Sequence, residues 1–165
     1  MPKAQRSSKL TQTTMEQTTW KVAEVQLIYK SKVKASQRPK ITTSKDAFEV
    51  LKKHWNQDTL EFVEEFKVML LNRANRVLGI IEISTGGMSG TVADPKVIFA
   101  AAIKSAASSI LLSHNHPSGN LAPSQADINL TRKLKSAGEL LDIAVLDHLI
   151  ISNEGFYSFA DEGLI

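Results

Sequence analysis

A chain of 165 residues, 42% hydrophobic and 22% charged, has the composition of a globular protein with enough material for one sizeable core. No apolar run reaches the roughly 20 residues of a membrane span and nothing at the start reads as a signal peptide, so a cytoplasmic protein is expected. Cysteine is absent, which excludes disulfides and thiolate metal centres and leaves histidine, carboxylate and water to hold any metal.

The net charge of +3 is unevenly spread: residues 1–40 carry +7 and residues 41–165 carry −4. A basic arm suits DNA or another polyanion, and a solvated, partly disordered leader has the same composition. Residues 1–19, rich in Thr, Ser and Gln, read as disordered. "WKVAEVQLIYK" (20–30) reads as a strand, 31–40 as a basic connector, and a compact domain is expected over 41–165.

Within that domain, Ser44 is expected to cap a helix with Ala47, Val50, Leu51 and Trp55 on its apolar face. Phe66–Leu71 and Val77–Ile83 read as a hairpin around Asn72–Asn75, ended by the glycines of "TGGMSG". Asp94-Pro95 is a cap with proline at the first helical position and opens "KVIFAAAIKSAA". "SILLS" is a short buried strand leading to His114. "SQADINLTRKLKSAGELL" is a helix with Gly138 as its stop, and "DIAVLDHLIIS" and "GFYSFA" finish as strands. Helices and strands alternate without repeats, so the class is α/β or α+β with one sheet.

The chemistry concentrates after "SILLS". His114 and His116 stand two apart at the end of an extended segment, so their side chains project to one side. Such a pair either hydrogen-bonds within a polar turn or holds a divalent cation. Ser124 and Asp127 form a capping-box pattern, which explains both residues structurally. Asp127 also shares a helical face with Leu130, Leu134, Ala137 and Leu141, and a carboxylate on an inward stripe needs a partner. Two histidines with one Asp and an open water position is the usual donor set of a catalytic zinc centre. Glu82 interrupts the apolar "VLGIIEIS" and is either an edge-strand residue facing solvent or a functional carboxylate. His148, flanked by aliphatic residues, reads as a satisfied core histidine or, with Asp147, as a group behind the metal ligands. His54 reads as structural.

Glu82, then H-x-H-x10-D ending in S-x-x-D, resembles the JAMM motif of JAB/MPN metallopeptidases. "LLSHNHPSGNLAPSQADI" and "LDHLII" resemble the RadC family in particular, over about residues 42–165. The resemblance implies a single MPN/JAB-like domain, a central mixed β-sheet flanked by helices in a cytidine-deaminase-like architecture. It implies one zinc ion held by His114, His116 and Asp127, Glu82 deprotonating the water on that zinc, and Ser124 stabilising the oxyanion. The activity would be hydrolysis of an amide bond, peptide or isopeptide, in an unidentified protein or peptide. Two other readings stand beside it. One is a DNA-repair or recombination protein that binds DNA through its leader without proteolysis. The other is a silent interaction module, a class that typically lacks the motif residues present here. Asn115 takes the place of the Ser or Thr common between the histidines of other JAMM proteins, as in the RadC version. Nothing in residues 1–40 resembles the helix-hairpin-helix region that precedes this domain in longer RadC-like proteins.

Overall fold

A computed structural model describes residues 21–26, 28–87 and 91–165. The polar opening, Trp20 and the Met88–Gly90 part of the glycine break lie outside the described residues. Among the described residues, a 3-10 turn at Ala35–Gln37 precedes three helices and five strands. These are α1 (Ser44–His54), β1 (Glu65–Leu71), β2 (Val77–Thr85), α2 (Pro95–Lys104), β3 (Ser109–Asn115), α3 (Gln125–Leu140), β4 (Ala144–Ile151) and β5 (Phe156–Ser158).

The five strands form one mixed sheet in the order β2-β1-β3-β4-β5. Antiparallel ladders join β1 to β2 and to β3, β3 and β4 run parallel across the α3 crossover, and β5 returns antiparallel on β4. Every residue of β1 and of β3 is buried, as expected for central strands covered on both faces. On one face Val68, Ile110 and Leu112 pack with Ile98, Phe99 and Ala102 of α2 and Leu134 of α3. On the other, Met69, Leu71, Leu111 and Leu149 pack with Ala47, Phe48 and Leu51 of α1 and with Trp55. The expected single domain with a mixed sheet flanked by helices is what the chain forms.

Three local expectations need correction. The cap of α1 is Thr43, whose hydroxyl accepts from the Asp46 amide while Asp46 accepts in return; Ser44 is the first helical residue and its hydroxyl donates to Asp161. Gly138 lies inside α3, and the helix stops through Asp142 at φ 54°, with the Ile143 amide bonded to the Gly138 carbonyl at 2.9 Å. Gly138 is there for space, since a Cβ would lie 2.3 Å from the Ile143 carbonyl oxygen. Leu141, assigned to the inward stripe, is instead the exposed C-cap residue of α3.

Residues 21–26 and 28–30, expected as a strand, have no ladder partner among the described residues. Val22 and Val25 are 93% and 86% exposed, and apolar content without a neighbouring edge does not make a strand. The Tyr29 hydroxyl donates to the Leu78 carbonyl, and Ile41 is the first buried residue of the body.

Candidate metal centre

The parallel β3–α3–β4 unit delivers the site. β3 ends in His114 and Asn115, its backbone continuing to His116, whose amide donates to the Ile151 carbonyl beside β4. The chain then turns through Gly119 at φ 79° and enters α3 at Ser124. Ser124 and Asp127 form a complete capping box. The Ser124 amide and hydroxyl both donate to Asp127 Oδ2 at 2.7 Å, and the Asp127 amide donates back to Ser124 Oγ at 3.2 Å. That leaves Asp127 Oδ1 directed at His114.

His114 Nε2 lies 3.4 Å from Asp127 Oδ1 and 3.0 Å from His116 Nε2, while His116 Nε2 lies 3.9 Å from Asp127 Oδ2. Each imidazole is held by its other nitrogen, His116 Nδ1 donating to the Asn120 carbonyl and His114 Nδ1 bonded to His148 Nε2 at 2.8 Å. Three ligand atoms thus converge within 4.8 Å of one another. Donors about 2.0–2.1 Å from a tetrahedral zinc stand about 3.3 Å apart, so the observed separations fit such an ion. His114 is 1% exposed, and its burial, with His116 adding to the effect and Asp127 opposing it, holds its pKa down at about 4. A neutral ring is the form that binds metal.

Glu82 is not at this centre. It pairs with Lys67 across the β1–β2 ladder, and Lys67 lies over the Trp55 ring on the α1 face of the sheet. His114 is on the other face, beside Phe66. Glu82 instead accepts from Lys67 Nζ at 3.0 Å and from the Thr85 hydroxyl at 2.7 Å, which together lower its pKa. One bulge between Phe66 and Lys67 and the alternation of strand side chains settle its face.

The carboxylate that does stand beside the centre is Glu64, absent from the sequence-based candidates. Phe66 is opposite His114, so two residues towards the start of β1 the same register brings Glu64 opposite His116. Its backbone is pinned by the Gly86 amide and the Gly87 carbonyl, at 2.8 and 3.1 Å. Burial pushes its pKa up and Asp127 adds to the rise, while His116 opposes it. Glu64, His116, Asn120 and Ser124 line one open cavity of about 380 Å3. A second, of about 210 Å3, lies between His116, Glu61 and Glu154.

Asn115 fixes the segment that carries Glu64. Fully buried on the α1 face, it accepts from the Glu65 amide at 2.7 Å and donates to the carbonyls of Leu60 and Val63 at 2.7 and 2.8 Å. Asp147 and His148 separate to opposite faces. Asp147 accepts from Ser158 Oγ, the Ala160 amide and the His148 amide, and so shapes the β4–β5 return away from the metal ligands. His148 stands directly behind His114. His54 is exposed, its Nδ1 donating to the Val50 carbonyl within α1.

The family model for the RadC-like JAB domain matches residues 41–164. The chain belongs to that family. It is 46% identical over 125 residues to a UPF0758 protein of Flavobacterium johnsoniae, covering 76% of this chain and 53% of that protein. A UPF0758 protein of Chlorobaculum parvum is 40% identical over 126 residues, 76% of this chain and 55% of its own. A third, from Porphyromonas gingivalis, is 46% identical over 103 residues, 62% of this chain and 45% of its own. The chain spans about half the length of these curated relatives. In this RadC-like JAB domain, His114, His116 and Asp127 can hold a metal ion, and no described helix is long and apolar enough to cross a membrane.

Proposed function

We propose that this RadC-like JAB domain is a zinc-dependent hydrolase that cleaves an amide bond, peptide or isopeptide, in a protein or peptide substrate. The observation that carries the reading is the convergence of His114, His116 and Asp127 beside an open cavity with Glu64 in its wall. Two nitrogens and one carboxylate oxygen suit zinc, and three protein donors leave a position free for water or substrate, the mark of a catalytic centre. Bound there, zinc would supply Lewis acidity towards water and a scissile carbonyl.

The chain's own residues supply the rest. Glu64, with its affinity for a proton raised by burial, takes up a proton at its carboxylate and returns it to the leaving amine. Asn115 keeps the Glu64 segment in register with His116. Ser124 orients Asp127; to serve a developing oxyanion its hydroxyl must release Asp127 Oδ2.

The test is elemental analysis of tag-free protein beside His116→Ala and Asp127→Asn. About one zinc per chain, lost in both variants, is expected. A folded wild type that takes up no zinc when zinc is added would sink the proposal.

A further inference from the structure

Thr131 and His148 are at most 1% exposed; Thr131 lies in the second turn of α3, one turn beyond Asp127, and His148 in the middle of β4. The Thr131 hydroxyl is 2.6 Å from the Asp127 backbone carbonyl and 2.6 Å from His148 Nδ1. A carbonyl only accepts, so the single hydroxyl proton goes to Asp127. His148 Nδ1 must then carry a hydrogen and donate to Thr131. A neutral His148 is left with a bare Nε2, which accepts from His114 Nδ1–H at 2.8 Å. His114 therefore presents a bare Nε2 lone pair to His116 and Asp127.

We infer that Thr131 and His148 are positioning residues that lock His114 in its Nδ1–H tautomer, the form whose Nε2 can bind metal. The inference rests on the proposed metal centre. The circuit begins and ends on ligand residues, running from the Asp127 carbonyl through Thr131 and His148 to His114, so it ties the first turn of α3 to the end of β3. Ring packing holds it in place: Phe159 stacks on His148 at 4.7 Å and Phe66 stacks on His114 at 6.1 Å between ring centroids. Without His148 or the Thr131 hydroxyl, the His114 ring is free to place its hydrogen on Nε2, where it blocks the ligand position. Loss of such a supporting hydrogen bond typically lowers metal affinity about 10–100-fold.

The experiment uses the full chain and zinc alone, with dissociation constants measured by competition against a chromophoric chelator. Wild type, Thr131→Val, Thr131→Ser and His148→Leu are compared, and circular dichroism confirms folding. A second readout is the His114 tautomer in metal-free protein, read from long-range 1H–15N NMR correlations. Thr131→Val and His148→Leu are expected to bind zinc about 10–100-fold more weakly and to show a mixed His114 tautomer. Thr131→Ser, which keeps the hydroxyl, should restore both. Should His148→Leu not fold, Thr131→Val alone decides. Zinc affinity in folded Thr131→Val within twofold of wild type, or an Nε2–H tautomer in wild type, overturns the relay and leaves the metal centre standing. A wild type that binds no zinc overturns both.

Discussion

Asn115 offers the sharpest test of how the sheet positions the carboxylate. Replacing it with Ala deletes two buried hydrogen bonds of 2.7 Å and a part-buried one of 2.8 Å, and strands the Glu65 amide and the Leu60 and Val63 carbonyls. At about 1 kcal/mol net for each bond, Asn115→Ala should lose about 3 kcal/mol of stability, equivalent to a fall in Tm of about 10 °C for a domain of this size. Urea and thermal unfolding measure the loss. Hydrogen exchange locates it, because the Glu65 amide donates straight into the deleted side chain and should exchange far faster. Zinc affinity should change little, since the rings of His114 and His116 are held by His148 and Asn120. A loss under about 1 kcal/mol with the Glu65 amide still protected would refute the idea that Asn115 pins the Glu64 segment.

Other outcomes follow from the same geometry. Glu64→Gln should reduce cleavage of a fluorogenic peptide or isopeptide library about 10²–10⁴-fold with zinc retained, whereas Glu82→Gln should cleave like wild type; the reverse pattern would return the base to Glu82. With zinc removed, stability should rise with pH from about 4 to 6.5 and then level off. In that window the unfolded chain takes up protons that buried His114, with its pKa near 4, refuses. His148, also lowered by burial, adds to the slope, at most about 1.4 kcal/mol per pH unit for each ring. Raised Glu64 and Asp147 oppose it at the acid end. Urea unfolding in chelator at pH 5, 6 and 7 measures this, and a flat or falling profile contradicts it. Gly138→Ala should destabilise by about 1–3 kcal/mol by thermal unfolding, although the same change in an open helix gains about 1 kcal/mol. The backbone carbonyl of Ile143 leaves the new methyl no room.

What could be read from residues alone was whatever is local in the chain. Asp94-Pro95, the hairpin around Asn72–Asn75 and the Ser124–Asp127 box are each fixed by a few neighbours, and all occur as expected. The three residues that could hold a metal belong to the same class, lying within 14 residues of one another. Glu64 was hidden because its neighbourhood depends on β1 pairing with β3 across an intervening hairpin and helix. The available hint was its place just ahead of a strand, next to Glu65. Glu82 was misplaced for the converse reason: the face of a strand residue depends on parity and bulges, and one bulge decides it. Parity likewise divides Asp147 from His148, adjacent residues whose surroundings are unrelated.

The position of the donors also bears on the energetics of opening. His114 through Asp127 closes a loop between the end of a buried strand and the first turn of a helix packed on the sheet, and helix ends are where native proteins begin to unravel. An ion held there would act as a clasp across that loop. At a concentration 100 times its dissociation constant it would add about 2.7 kcal/mol to the folded state, opposing any local unwinding that separates its ligands. Proteolytic nicking between Pro117 and Pro123 would then report metal occupancy, and the chain's lifetime in the presence of proteases would follow the metal supplied to it.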